Sequence, residues 1–259
     1  MLRHLRKPII FAHRGASAYA PENTISAFEL AVQQKADAIE LDTKLTIDGH
    51  VVVFHDQTLD RTTGASGRVI DSKLADLKLL DAGSHFDIAF RGEPIPTLEE
   101  VFEAVGKETY INVELTNYAS LTDRLPELVA EIVKKHNLVD RVLFSSFNPL
   151  ALIRARRALP QVPIGLLADE GKKGRWARSW PGTLLRYQTL HPAYQDVDAA
   201  LVERTHQRGC GLITYTVNSP DEIKRLFQLD VDGIFTDDPP TAIQILSATN
   251  QQRLPDKKS

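Results

Sequence analysis

Leu212-Ile-Thr-Tyr-Thr-Val217, Pro220-Asp-Glu-Ile-Lys-Arg-Leu-Phe-Gln228 and Gly233-Ile-Phe-Thr236 follow one another with almost no spacer. The first and third are short apolar runs that read as strands, and the second is an amphipathic segment that reads as a helix. Strand, helix and strand in so few residues make a parallel pair with a right-handed crossover. Working outward, Pro240–Leu246 reads as a further helix, and Leu185–Leu190 with Ala199–Arg208 as the preceding unit. Upstream the same rhythm gives strands at Pro8–Ala12, Ala38–Leu45, Thr109–Leu115, Arg141–Ser145 and Pro163–Leu167. The helices between them are placed at Thr24–Gln34, Leu121–His136, Pro149–Ala158 and Glu170–Arg178, with Asn23 or Thr24 capping the first. Val51–Phe54 reads as an extra strand joined to Ala38–Leu45 through the turn Asp48-Gly49.

Roughly eight βα units in a chain of 259 residues predict a single α/β domain over 1–259, a (β/α)₈ TIM barrel. An open doubly wound sheet is the alternative. Against it, the first strand runs into His13-Arg14-Gly15-Ala16-Ser17 and not into a Gly-x-Gly-x-x-Gly turn. Residues 56–96 break the rhythm, being rich in Asp, Gly, Thr and Pro with one short helical pattern at Ser72–Leu80. That is too long for a barrel loop, and reads as a small insertion after the second strand, on the C-terminal face.

Hydrophobic residues make up 42% of the chain, enough for a core, and the net charge of −3 leaves no basic excess for a nucleic-acid partner. The one cysteine, Cys210, cannot form an intramolecular disulfide and reads as a small core residue between Gly209 and Gly211. The basic start Met1–Pro8 is followed by only four apolar residues, Ile9–Ala12, short of a signal peptide, and no run approaches the length of a membrane span. A cytoplasmic chain without stable membrane insertion, monomeric or homodimeric, is the expectation, with the polar tail Gln251–Ser259 frayed.

In a parallel barrel the chemistry gathers where strands end. His13 and Arg14 end the first strand, Glu40 and Asp42 lie on the second, His55 and Asp56 end the hairpin strand, and Asn112 and Glu114 lie on the third. Glu40 and Asp42, two residues apart on a strand, share a face. Two inward carboxylates repel, and a hard divalent cation with oxygen ligands relieves that cost, with Glu114 as third donor. Surface charges or core ion pairs are the other reading of the same residues. Imidazole titrates near neutrality, so His13 and His55 can divide general-base and general-acid work, as phosphodiester cleavage requires. Arg14 offers a bidentate guanidinium to phosphate oxygens, or a structural salt bridge to Glu40 or Glu114.

Lys44 falls two residues after Asp42 and points toward the same mouth. His191 is a candidate rim residue, His85 reads as a surface histidine, and His4, His50, His136 and His206 as solvated ones. Asp237-Asp238 reads as a charge pair at a helix N-terminus. No P-loop, Cys/His zinc spacing or Gly-x-Ser-x-Gly elbow is present.

The block His13-Arg-Gly-Ala-Ser through Pro21-Glu-Asn-Thr24, followed by Glu40-Leu-Asp42, Asp48-Gly49 and His55-Asp56, resembles the glycerophosphodiester phosphodiesterase family. Asn112-Val-Glu114-Leu, Phe144-Ser-Ser-Phe147, Tyr215-Thr-Val-Asn218 and Asp232-Gly-Ile-Phe-Thr-Asp237 extend the likeness, in order, over nearly the whole chain. The resemblance implies one divalent cation, Mg²⁺ or Ca²⁺, on Glu40, Asp42 and Glu114. It implies His13 and His55 as the acid–base pair, and Arg14 as a phosphate ligand. The implied reaction takes a small-molecule glycerophosphodiester to sn-glycerol 3-phosphate and an alcohol, with attack by the glycerol 2-hydroxyl and a cyclic phosphate on the way.

Two positions depart from the family pattern. Thr116 stands where a lysine is usual two residues after the third carboxylate, and Tyr215 replaces the usual tryptophan before Thr-Val-Asn. Lys44 or a residue of the insertion is the candidate to supply the displaced cation, and Tyr215 keeps an aromatic wall at the substrate. Two further readings stay open. One is a lysophospholipase D or sphingomyelinase D relative, with Phe86, Ile88, Ala89 and Phe90 lining an acyl groove or packing the insertion down. The other is a barrel that binds phosphodiesters without turnover.

Overall fold

The computed structural model describes residues 5–118, 120 and 122–253. Among the described residues nine strands follow in chain order: β1 (Ile9–Ala12), β2 (Ala38–Leu45), β3 (Val51–Val53), β4 (Tyr110–Leu115), β5 (Val142–Ser146), β6 (Ile164–Ala168), β7 (Thr189–Pro192), β8 (Gly211–Thr214) and β9 (Gly233–Thr236). Strand β1 pairs in parallel with both β2 and β9, so the parallel sheet closes on itself. The remaining neighbours, β2–β4 and β4 through β9, are also parallel. Eight parallel strands closed with intervening helices form a (β/α)₈ barrel, and β3 joins only as an antiparallel partner of β2.

Alternation along each strand sorts the side chains. Ile10, Ala12, Ile39, Leu41, Val113 and Phe144 point outward and join the large buried cluster under the helices, with Phe28, Leu98, Val129 and Leu152. The intervening residues face the interior. Near one end these are apolar, Ile9, Phe11, Ala38, Ile213 and Phe235 forming a plug. Toward the C-terminal ends of β2 and β4 they become Glu40, Asp42, Lys44, Asn112, Glu114 and Thr116. One two-residue period thus builds an apolar shell and a polar mouth from the same strands.

Helix Ile25–Gln33 is capped by Thr24, whose side chain accepts from Ala27 N. Helix Leu98–Val105 carries a full capping box between Thr97 and Glu100. Prolines open helices Pro149–Ala158 and Pro220–Gln228, where a missing N–H costs nothing. No helix among the described residues is long and apolar enough to cross a membrane.

Several segments differ from the sequence reading. Leu185–Leu190 is not a strand throughout: β7 is Thr189–Pro192, and Trp180–Thr183 just before it is helical. Leu185 and Tyr187 are buried, so their apolar spacing mimicked a strand while they pack a connection. Glu170–Arg178 holds only a turn of 3-10 helix, Lys173–Arg175, in a segment where Arg178 bonds Asp169 O, Gly171 O and Asp196 Oδ2. The last helix, Pro239–Arg253, runs well past Leu246 and into the tail expected to fray. Residues 56–96 contain short helical turns at Asp60–Thr63, Val69–Asp71, Leu74–Leu77 and Ile88–Phe90. They share a separate small core of Val52, Phe54, Leu59, Val69, Leu77, Ala82 and Ile95. Leu121, His4 and residues 254–259 of the tail lie outside the described residues.

Candidate active site

The turn after β1 sets the first half of the site. His13 N donates to Thr236 O of β9, which fixes the strand end, and Arg14 and Gly15 then take positive φ. A Cβ on Gly15 would fall 2.7 Å from Ala27, so only glycine lets the first helix approach this turn. The turn directs Arg14 N onto Glu40 Oε2 at 2.9 Å. The Arg14 guanidinium donates from Nη1 to Glu22 Oε1 at 2.9 Å and places Nε 3.4 Å from Asp42 Oδ2. Its structural partners are therefore Glu22 and Asp42, whereas Glu40 is reached by its backbone. Asn23 clasps Asp42 from both sides, giving Nδ2–H to its carboxylate and accepting its backbone N–H.

Parallel register sets Asp42 beside Glu114 and Glu40 beside Asn112. Donor oxygens of Glu40, Asp42 and Glu114 all lie within 4.8 Å of one another. Burial, with the negative charge of Asp42 next to it, drives Glu40 well above the usual carboxylate range and Glu114 up to about 8. Burial opposes the charge of Asp42 too, but Arg14, His55 and the Asn23 bond outweigh it and hold its carboxyl low. Three carboxylates crowded out of water with all-oxygen donors fit a hard divalent cation, which would remove both the desolvation and the mutual repulsion.

Each predicted histidine is oriented by a carboxylate. His13 Nδ1 lies 2.7 Å from Asp237 Oδ1, and His55 Nδ1 lies 2.7 Å from Asp56 Oδ1. A carboxylate can only accept, so Nδ1 carries the proton in both rings and Nε2 is left for proton transfer. Asp237 is itself held by Ser17 Oγ and Asn218 Nδ2, and Asp56 by Arg61 Nε. Arg61 also grips Glu22, which joins the two histidine arms through Arg14 and Arg61. Asp237 is thus a histidine partner, in place of the helix-end charge read from the sequence.

Lys44 is buried and donates from Nζ to Thr116 Oγ1 at 2.9 Å, while Thr116 Oγ1 donates to Thr43 O. Burial lowers the Lys44 pKa against the pull of Asp42 and Glu114. Lys44 lines a cleft with Gln57, Arg68, Thr116 and Asn117. Tyr215 stands on the far side, its hydroxyl donating to Ala168 O and its ring edge-on to Phe147 at 5.8 Å. Phe147 meets Tyr118, and Tyr118 donates to Glu114 Oε1, so an aromatic row runs from the carboxylates toward β6. The structure therefore brings together His13, Arg14, Glu40, Asp42, Lys44, His55 and Glu114, with Tyr215 linked to them through that row.

Sequence reasoning assigned no role to Glu22, Asp56, Arg61 or Tyr118, and gave Asn23 and Asp237 only helix-end readings. Asp56 was signalled by its adjacency to His55; the partner of Asp237 is 224 residues away. His191 is not on the rim. It is fully buried inside the barrel, bonded through Nε2 to Thr189 Oγ1 and stacked at a tilt on Phe235, and burial pushes its pKa down to about 3. Two of the four remaining histidines read as solvated are engaged: His206 Nε2 bonds Asp232 Oδ2, and the His136 ring meets Phe102 edge-on. Phe86 and Ile88 of the insertion are exposed and do not pack it down.

Comparison with known proteins places the chain in one family. The sequence model described as "Glycerophosphoryl diester phosphodiesterase family" matches residues 13–241. A glycerophosphodiester phosphodiesterase of Caldanaerobacter subterraneus is 41% identical over 93% of this chain and 98% of its own. A glycerophosphodiester phosphodiesterase of Bacillus subtilis is 35% identical over 88% of this chain and 83% of its own. Among solved structures, an Oleispira antarctica phosphodiesterase in complex with the product sn-glycerol-3-phosphate superposes with TM-score 0.86. It is 32% identical and covers 93% of this chain and 97% of its own.

Proposed function

The chain belongs to the glycerophosphodiester phosphodiesterase family and is a phosphoric diester hydrolase, and from that premise we propose a metal-dependent reaction run by His13 and His55. The substrate is a small glycerophosphodiester, and the products are sn-glycerol 3-phosphate and an alcohol. The observation that carries this reading is the pair of histidines, each with Nδ1 tied to a carboxylate, flanking three crowded carboxylates.

Glu40, Asp42 and Glu114 would hold one divalent cation, Mg²⁺ or Ca²⁺. Bound there, it supplies positive charge that neutralises and orients the phosphate oxygens. Arg14 and Lys44 add protein cations for the same oxygens, Lys44 from β2 in place of the lysine that Thr116 displaces. Nε2 of one histidine takes the proton of the glycerol 2-hydroxyl as its oxygen attacks phosphorus. The other histidine gives its Nε2 proton to the departing alkoxide, leaving a cyclic phosphate and an alcohol. The roles then reverse. The now neutral histidine takes a proton from water as the water oxygen bonds phosphorus, the bond from phosphorus to the 2-oxygen breaks, and the imidazolium returns its proton to that 2-oxygen. Asp237 and Asp56 keep each ring in the tautomer both half-reactions need. Residues 56–96, tied to Glu22 through Arg61, wall the mouth as an insertion of this single domain.

Release of sn-glycerol 3-phosphate from glycerophosphocholine or glycerophosphoethanolamine, with and without EDTA, tests the reading. Turnover that survives chelation, or none at all, counts against it. A lysophospholipase D activity is favoured by one observation, the exposed Phe86 and Ile88 of the mouth-walling segment. Comparing rates on a lysophospholipid and its deacylated counterpart separates the two.

A further inference from the structure

The connection between β6 and β7 exposes apolar surface that the reaction does not use. Trp180 is 69% exposed and Leu184 66%, with Trp176 also exposed, in a protein whose other large side chains are mostly buried. The display is built, not frayed. Arg178 donates to Asp169 O, Gly171 O and Asp196 Oδ2, and Arg156 donates to Leu185 O. Ala177 and Gly182 are buried, and a Cβ on Gly182 would fall 2.2 Å from Ala177 O. The segment is clamped to the barrel at alternating points while its largest apolar side chains are turned to water. That arrangement costs solvation and marks a contact surface.

Its charge identifies the partner. Residues 169–186 carry five cations, Lys172, Lys173, Arg175, Arg178 and Arg186, against Asp169 and Glu170, in a chain of net charge −3. Lys172, Lys173 and Arg175 are exposed and make no ion pair among the described residues. Tryptophans set among lysines and arginines suit the boundary between headgroups and acyl chains, where the indole is half apolar and half wet. The segment leaves the C-terminal end of β6, at the end of the barrel where Glu114 and Asp42 lie, and descends to the N-terminal end of β7, where Arg156 from the last turn of helix Pro149–Ala158 holds Leu185 O. Tyr215 OH donates to Ala168, the last residue of β6, which continues the aromatic row from Glu114 to this segment.

We propose that the Trp176–Leu184 patch with its lysines docks the barrel peripherally on an anionic lipid bilayer. Docking of this kind is superficial and reversible, since a few side chains reach the lipid and no helix among the described residues is long and apolar enough to span it. It does not rest on the proposed reaction, because the patch is separate from the two histidines.

Trp176 and Trp180 are the only tryptophans in the chain, so intrinsic emission reports on this patch alone. Wild-type protein is titrated with vesicles of phosphatidylcholine containing phosphatidylglycerol, and with phosphatidylcholine alone, followed by emission wavelength and co-sedimentation. The expected result is a blue shift and sedimentation on the anionic vesicles, reversed by high salt and weak or absent on neutral ones. Lys172→Gln/Lys173→Gln should weaken binding roughly thirtyfold, at about 1 kcal/mol for each lysine near the surface. Trp180→Ala should remove most of the spectral change, and His13→Ala should bind as wild type does. No sedimentation and no shift with anionic vesicles overturns the proposal. So does a blue shift that follows protein concentration without lipid, which would mark the patch as a contact between two copies.

Discussion

Lys44 Nζ donates to Thr116 Oγ1 across the β2–β4 pair at 2.9 Å, which sets the ammonium of one strand at the position whose own side chain has become a hydroxyl. If this lysine supplies the cation for phosphate, Lys44→Met should lower kcat/KM on glycerophosphocholine by about ten- to a hundredfold, the worth of a charge-assisted hydrogen bond. The double variant Lys44→Thr/Thr116→Lys moves the ammonium to the neighbouring strand and should recover part of the loss. Steady-state kinetics on the two variants decide the matter; a Lys44→Met enzyme with the wild-type constant shows that this lysine is structural.

The orientation of His13 depends on Asp237. Asp237→Asn replaces an acceptor with an amide that can donate, which favours the tautomer with the proton on Nε2. Activity should fall by about 10²–10⁴-fold, the usual scale for a general acid or base, while thermal stability changes little. Burial works against the Asp237 charge, but His13, Asn218 and Ser17 together outweigh that and keep the carboxyl below the usual range. Its negative charge is therefore present throughout the pH range of any assay near neutrality. A pH–rate profile of the variant with unchanged shape and height would place Asp237 outside the mechanism.

Chelation should couple to pH through Glu114. Its folded pKa, about 8 without metal, lies above the ordinary 4.5, so the folded chelated protein binds more protons than the unfolded chain between those values. That group's contribution is complete below about 4.5 and is lost as pH rises toward 8, while a cation that displaces the proton binds better at higher pH. The gap in melting temperature between metal-loaded and EDTA-treated protein should therefore widen from pH 5 to pH 8. Differential scanning fluorimetry across that range checks it; a gap that is constant or shrinks argues against a cation on these carboxylates.

Gly165 on β6 makes room for the buried histidine of β7. A Cβ there would lie 2.6 Å from His191 Cε1 and 2.8 Å from Thr189 Oγ1. Gly165→Ala should cost about 1–3 kcal/mol by overpacking, lowering the melting temperature by several degrees. Because His191 is an interior packing residue, a variant that folds should keep its kcat; a large loss of kcat at full stability would give His191 a part in the chemistry.

Much of this architecture is legible in the chain because it is local. Ala38–Leu45, Pro149–Ala158, Pro220–Gln228 and Gly233–Thr236 fall where apolar period and proline placed them. The shared face of Glu40 and Asp42 follows from the strand period alone, as does the nearness of Lys44. What stays hidden depends on distant partners. Nothing near Asp237 announces His13, and nothing near Glu22 announces that it links Arg14 to Arg61. The connection before β7 misled for a related reason: Leu185 and Tyr187 are buried by the packing of a loop, which imitates the spacing of a strand. His191 looked like a rim residue because Pro192 follows it, yet the strand continues through the proline and keeps the ring inside.

Release of sn-glycerol 3-phosphate from glycerophosphocholine by wild type and His13→Ala, at saturating Mg²⁺ or Ca²⁺ and with both proteins verified as folded, bears most directly on the central claim. The account predicts turnover by the wild type, abolished by EDTA, and a loss of about 10²–10⁴-fold in the variant. A His13→Ala enzyme that releases product at the wild-type rate would contradict it.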